Sequence, residues 1–395
     1  MGAAEKFQQV RQHTLALIEG LSAEDCCVQA MPDASPAKWH LAHTSWFFET
    51  FILARFAPGF QPFDAAYKVL FNSYYQGVGE QYPRPKRGLL TRPALPEVLA
   101  YRRHVEHGIL QLLQAAPADQ ALLSLLELGL QHEQQHQELL LTDVKYLLSC
   151  NPLAPAWRVD CRASSPETQA MHAPQSAWRS CEGGLQEIGA SGAGFCFDNE
   201  LPRHTVYTAP FAIAATPVSN AQWLAFIEAG GYQEPQYWLA EGWDMLRREG
   251  WQAPLYWRRQ NSAWQAFTLN GLQTLPLAAP VMHISYFEAD AFARWAKARL
   301  PSEAEWEIAQ AQGVLEHAFD RVWQWTQSSY APYPGFQIPP GAVGEYNGKF
   351  MVNQYVLRGA SLATPTGHAR ATYRNFFPAS ARWQFAGLRL ARDLT

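Results

Sequence analysis

The sequence predicts a two-part fold: an N-terminal helical bundle followed by an α+β domain. Two observations carry that reading. Through residue 150, apolar residues recur at helical spacing in long runs. After Asn151 the texture becomes rich in tryptophan and turn residues, with only local helical patterns and short strand-like stretches. Length agrees, since 395 residues suffice for two domains that each bury a core. The expected division is a bundle over 1–150, a linker over 151–178 and the α+β domain over 179–395.

The first run, KFQQVRQHTLALIEGL, spaces its apolar residues along one helix face. The second, SPAKWHLAHTSWFFETFILARF, opens on Ser35-Pro36, a helix-start signal. RPALPEVLAYRRHVEHGILQLLQAA and DQALLSLLELGLQHEQQHQELLLTDVKYLLS supply the third and fourth. Helices of this length form a bundle, and bundle cores commonly hold metals between facing helices. Between the second and third runs lies FNSYYQGVGEQYPRPKRGLLTRP, which reads as too polar for core. So long a connection inside a bundle is usually functional. NPLAPAWRVDCRASSPETQAMHAPQSAW reads as the linker. Beyond it, SNAQWLAFIEAGG and SYFEADAFARWAKARL read as helices, bracketed by strands in HTVYTAPFAIAATPV and GLRLARD.

Bulk composition narrows the function. A net charge of -4 gives no reason to expect nucleic acid or an anionic membrane as partner. No apolar run approaches the ~20 residues of a membrane span, and the N-terminus lacks a signal-peptide core. The six cysteines form no CxxC pair, which fits a reduced, cytoplasmic setting. Aromatics reach 13%, with 15 tryptophans, and suit pockets for flat or cationic ligands as well as core.

His132-Glu133-Gln134-Gln135-His136 reads HExxH. Its two histidines share one helix face and can chelate one ion. The competing reading of QHEQQHQE is a polar stripe facing solvent. KWHLAHTSW on the second helix carries His40 and His43 among apolar residues. A bundle can bring one of them against the first pair, giving three neutral imidazoles and open metal positions. The metzincin continuation of HExxH is absent, since the chain runs on as QELLLTDVKY, which argues against a zinc protease.

SPAKWHLAHTSWFFETF, HEQQHQELLLTDVKY, LPSEAEWE, VWQWTQSSY and LRGASLATPTGHARATYRNFFPASARWQFAGLRLARD together resemble the EgtB-type sulfoxide synthases of ergothioneine biosynthesis. The resemblance includes their close relative, the selenoneine synthase SenA, and covers nearly the whole chain in order. It implies a DinB-like four-helix bundle joined to a formylglycine-generating-enzyme-like (C-type-lectin-like) domain that forms a hercynine pocket. It also implies a non-heme Fe(II) held by His43, His132 and His136, with O2 as co-substrate. His40 falls where the family varies and is expected to be structural or to support a ligand. Gln135 matches a glutamine lining the hercynine pocket. Glu133 is expected either to support the metal ligands or to be a solvated helix charge.

In this family O2 and a chalcogen donor meet on the iron, and a bond forms to imidazole C2 of hercynine, the trimethylated betaine of histidine. A positioned acid must keep the donor from simply being oxidised. Tyr74 and Tyr75 of NSYYQG are the candidates, as an adjacent tyrosine pair does this work in one branch; plain packing is the alternative. Asn375, Phe376 and Phe377 match the segment that touches hercynine, while Tyr373 and Trp383 are expected to support the fold. Some members have Trp-Asp where Phe376-Phe377 stand, so the donor is not expected to be anchored as in enzymes using γ-glutamylcysteine. Arg84, Arg87 and Arg92 are candidates to hold the donor's anionic group. Gln81-Tyr82 replaces a frequent Arg-His, which leaves a small donor such as cysteine or a selenosugar. Gln324 replaces a glutamate in a segment read as a fold signature. The competing functions are a lectin-like binding module, a DinB-like metal-dependent thiol transferase and an HExxH zinc protease.

Overall fold

Apolar spacing and caps set the helices of the N-terminal part. The computed structural model describes residues 2–158 and 177–394, so most of the expected linker lies outside the described residues. Helix α1 (Ala3–Leu17) buries Phe7, Val10 and Leu17. Helix α2 (Ala37–Phe48) buries every one of its residues, as a helix at the centre of a bundle must. It runs on through a wider turn, Glu49–Leu53, to Phe56. Helix α3 (Leu95–Ala115) and helix α4 (Gln120–Ser149) complete the frame, the latter capped by Asp119, whose carboxylate accepts from Leu122 N at 3.0 Å. Gly129 lets α4 approach α2 closely. A Cβ there would stand 2.6 Å from a ring carbon of Phe48. That approach sets the height of His132, one turn further on.

A buried charge cluster ties these helices together. Glu133 accepts from Arg11 at 3.0 Å, from Arg102 at 3.0 Å and from Thr14 at 2.7 Å. Arg11 also donates to Glu106 at 2.9 Å and to Ser45 at 2.9 Å. Burial alone would raise the Glu133 carboxyl, but the two guanidiniums hold it down at about 2. The expectation of a solvated Glu133 is therefore wrong: it is wholly buried and faces α1 and α3. The connection read as too polar for core also departs from expectation, because Asn72, Tyr75 and Arg87 are all buried. Asn72 is tolerated inside because it pairs with the backbone of Tyr75, Gly79 and Glu80. Residues 340–346 cluster with this helical unit, while the described residues 177–339 and 347–394 form the second unit.

In the second unit, β1 (Trp178–Cys181), β4 (Phe211–Ala214) and β12 (Ala391–Asp393) form one antiparallel sheet in the order β1-β4-β12. A second sheet orders β10 (Asn375–Pro378), β9 (Gln354–Gly359), β8 (Trp323–Ser329) and β11 (Ala386–Leu388), with β8 and β11 parallel. Two ribbons accompany them: β2 (Gly184–Ile188) with β3 (His204–Thr208), and β5 (Trp257–Gln260) with β6 (Ala263–Thr268) and β7 (Gly271–Thr274). Of the helices α5 (Asn220–Glu228), α6 (Ala240–Glu249), α7 (Tyr286–Trp295) and α8 (Glu303–Ala311), α8 packs on β2, β3, β8 and β9, and α7 packs on β8 and against α5. Each strand-like stretch of the sequence divides between two sheets: β3 and β4 from one, β11 and β12 from the other. Buried Arg358 and Arg374 both pair with Glu303 of α8. Gln324 accepts from Trp306 at 2.7 Å and Arg389 at 2.9 Å, which fits its reading as part of the fold. No helix among the described residues is long and apolar enough to cross a membrane.

Removing one partner of a buried ion pair strands the other charge, at a cost of about 3–5 kcal/mol. Glu133→Ala should therefore lose stability of that order in urea denaturation of the metal-free protein. A loss below about 1 kcal/mol would show that the cluster does not hold the bundle.

Candidate metal centre

His132 and His136 lie one turn apart on α4, and His43 faces them from α2. One nitrogen from each lies within 4.8 Å of the others, and all three side chains are buried. The ring centroids are 5.0 Å apart for His43–His132, 4.7 Å for His43–His136 and 4.6 Å for His132–His136.

The neighbours settle which nitrogens are open. His43 Nδ1 lies 2.6 Å from the Phe71 carbonyl oxygen, so Nδ1–H donates and Nε2 keeps a bare lone pair. Among the described residues His43 Nε2 has no hydrogen-bond partner, and neither does either nitrogen of His132. His136 Nδ1 stands 2.8 Å from His40 Nδ1, and His40 Nε2 stands 3.0 Å from Asp143 Oδ2. With Nε2–H given to Asp143, His40 accepts from His136 Nδ1–H, and His136 Nε2 is left open. Asp143 is fixed in turn by Ser35 N at 2.8 Å. The expected supporting role of His40 thus has a geometry, an Asp143–His40–His136 chain that sets ring orientation and tautomer. Burial, followed by the charge of neighbouring histidines, pushes His43 and His136 well below the usual imidazole range. Burial also lowers His132 to about 3. All three imidazoles are neutral.

Open, buried, neutral nitrogens facing one another fit a divalent transition metal better than they fit packing. Without a cation these lone pairs repel and stay unsatisfied. Three imidazoles without thiolate or carboxylate suit Fe(II), Zn or Cu and leave coordination positions free. A zinc-protease role would place Glu133 at the metal, but both its oxygens are engaged by Thr14, Arg11 and Arg102.

Aromatic rings wall the site. His43 stacks between Trp39, at 4.5 Å and 13°, and Trp46, at 5.4 Å and 16°. The Arg87 guanidinium lies 3.4 Å above the Trp39 ring centre. Arg87 donates to Ser35 at 2.9 Å and Ser73 at 3.1 Å, and no described carboxylate lies within ion-pair distance of it. Burial, then Arg84, lowers Arg87 to about 9. Arg84 and Arg92 are exposed, and Arg84 donates to the Asp33 carbonyl.

Tyr75 is buried against Trp46 and Phe51, at 5.5 and 5.2 Å, and its ring stacks on Tyr74 at 4.6 Å. The two hydroxyls are 3.5 Å apart. Burial, then Tyr74 and Tyr346, raises Tyr75 well above the usual phenol range, so it holds its proton at neutral pH. Tyr346 escaped the sequence reading. Its ring lies 5.6 Å from His132 and 6.4 Å from Tyr74, and its hydroxyl donates to Gln135 Oε1. GEYNGKF sits in a Gly- and Pro-rich stretch with no periodicity to point at a metal. By contrast, Trp39 and Trp46 stand four before and three after His43, a legible same-face spacing.

The structure therefore gathers His43, His132, His136, Gln135, Tyr74, Tyr75 and Arg87 in the helical unit. Asn375, Phe376 and Phe377 lie on β10 of the second unit. There Phe376 stacks on Tyr330 at 4.1 Å and 11°, Phe377 meets Trp383 edge-on at 6.3 Å, and Asn375 Oδ1 accepts from Phe376 N at 2.9 Å. Tyr373 is buried against Trp323 at 5.2 Å, as a fold-supporting residue would be.

Metal analysis after anaerobic loading should find about one ion per chain, and none in a His132→Ala/His136→Ala variant. His40→Ala should still fill at excess metal, with affinity weakened by about 10–100-fold in chelator competition. Full occupancy in the double variant would refute the ligand set.

Comparison with known proteins agrees with this architecture. Residues 6–140 match the DinB superfamily, and residues 163–321 match the sulfatase-modifying factor enzyme 1-like domain. The chain is 31% identical to the hercynine oxygenase of Mycobacterium tuberculosis, covering 98% of this chain and 97% of that one. It is 29% identical to the hercynine oxygenase of Mycolicibacterium smegmatis, over 99% and 98% of the two chains. The formylglycine-generating enzyme of Streptomyces coelicolor is 34% identical over 38% of this chain and 54% of its own. With a DinB-superfamily match followed by a sulfatase-modifying-factor-like match, and near end-to-end alignment with these relatives, the chain belongs to the EgtB-type hercynine oxygenase family.

Proposed function

We propose that this chain is an O2-dependent, non-heme Fe(II) oxidoreductase that joins sulfur or selenium to the imidazole C2 of hercynine. The donor is a small one, such as cysteine or a selenosugar. One observation carries the reading: open imidazole nitrogens of His43, His132 and His136 converge beside a cluster of phenols, in a chain that aligns end to end with hercynine oxygenases. A thiol transferase would have no use for those phenols.

Fe(II), when bound, supplies open positions at which O2 and a chalcogen donor can be activated. The chain's residues do the rest. Phe71 O and the Asp143–His40 pair keep His43 and His136 in ligating tautomers. Trp39, Trp46, Phe47 and Phe51 keep water from the ligands and from Tyr75. Tyr75, protonated and joined to Tyr74, delivers a proton when negative charge builds at the reacting atoms. Gln135, oriented by Tyr346, offers its amide to the substrate imidazole. Arg87, a buried guanidinium with no carboxylate at ion-pair distance and an unpartnered Nε among the described residues, receives the donor's anionic group, with Arg84 at the surface nearby. The Phe376–Tyr330 stack supplies an aromatic face for the trimethylammonium, beside Asn375 and Phe377.

With Fe(II), O2 and hercynine, mass spectrometry should find a C2–S or C2–Se product with cysteine or a selenosugar, and less with γ-glutamylcysteine. Histidine should bind about 10-fold more weakly than hercynine or worse, since the aromatic face favours the poorly hydrated cation. γ-Glutamylcysteine as best donor, or equal affinity for histidine, would contradict this. Tyr75→Phe should slow product formation by about 100-fold or more and raise the share of donor oxidised without hercynine consumption. Wild-type product ratios in that variant would remove Tyr75 from the chemistry.

A further inference from the structure

Glu345 sends each carboxylate oxygen to a different backbone amide. Oε2 accepts from Gln76 N at 2.9 Å, and Oε1 accepts from Gly77 N at 2.7 Å. These amides open the turn Gln76–Val78, directly after the tyrosine pair, and amides at that position have no partner within their own turn. A carboxylate is the strongest acceptor a side chain can offer them. Asn72 organises the same loop from inside, through Tyr75 N and Tyr75 O at 3.1 and 3.0 Å. Tyr346, the next residue after Glu345, bonds Gln135 and places its ring edge-on to His132 and to Tyr74. One carboxylate therefore sits at the point where the tyrosine loop meets the segment 340–346.

We propose that Glu345 is a positioning residue, whose carboxylate fixes the Tyr74–Tyr75 loop against Tyr346 so that the phenols stand as one group beside His132 and Gln135. This rests on the hercynine-oxygenase reading above. Glu345 touches no reacting atom and acts through the phenols. Because the same short segment carries Glu345 and Tyr346, releasing the carboxylate loosens both sides of the cluster. A displacement of about 1 Å at such a site costs on the order of 100-fold in rate.

Hydrogen–deuterium exchange of the full, Fe(II)-loaded chain under argon reads the clamp, and hercynine consumed per O2 consumed reads its consequence. In Glu345→Ala, the amides of Gln76 and Gly77 should exchange about 10-fold faster or more, with metal content unchanged. kcat should fall by about 10–100-fold, with KM for hercynine within about two-fold of wild type, and hercynine consumed per O2 should drop by about half or more. Glu345→Gln, which keeps one carbonyl acceptor, should fall between wild type and Glu345→Ala. Wild-type protection of both amides in Glu345→Ala overturns the clamp. Lost protection with unchanged kcat and consumption ratio overturns the positioning role. A wild-type chain that leaves hercynine untouched defeats the oxygenase reading and the role built on it, while the exchange experiment still decides whether the carboxylate holds the loop.

Discussion

Three imidazoles with bare lone pairs turned towards one another inside a helical bundle are the constraint on which the rest of this unit depends. Such groups repel unless a cation lies between them, so the protein must hold them together from outside. It does so with second partners on the far sides of the rings. His43 is fixed by the Phe71 carbonyl and by two indoles. His136 is fixed by His40 and Asp143. His132 is fixed by the helix itself, since Glu133 anchors that turn of α4 to Arg11 and Arg102 and Gly129 sets the approach to α2. The glutamate of HExxH serves the fold here, and a water-activating role is closed to it.

Burial has two consequences for the chemistry. It keeps the imidazoles neutral, ready to bind a metal without first losing a proton. It also keeps Tyr75 protonated among the rings of Trp46, Phe51 and Tyr74. Arg87 follows the opposite logic. A guanidinium stacked on Trp39, with serines for acceptors and no described carboxylate within ion-pair distance, has been desolvated with only the more distant charge of Asp143 to offset it. A substrate carboxylate or phosphate would offset that cost, which is the physical case for an anionic donor.

Much of this was legible before any coordinates. The helical periodicity gave α1 to α4, and HExxH with HLAH gave the His132–His136 pair and two candidates for a third imidazole, because i, i+3 and i, i+4 spacings translate directly into shared faces; the choice of His43 over His40 came from the family resemblance. Three things were not legible. The place of Glu133 stayed open between a supporting role and a solvated charge because its counter-charges, Arg11 and Arg102, sit on other helices, far away in sequence. The connection 71–93 read as too polar to be buried because Asn72 and Arg87 find their partners in backbone and stacking contacts that composition does not reveal. Tyr346 and Glu345 were missed because a loop more than 200 positions beyond Gln135 has no period and no motif that ties it to the helices.

The central claim is that His43, His132 and His136 hold one iron between them, and crystals of the anaerobically iron-loaded protein test it most directly. An anomalous-difference map at the iron absorption edge should place a single peak at bonding distance from His43 Nε2, His136 Nε2 and one nitrogen of His132. No peak there, or an iron bound by other side chains, would contradict the account.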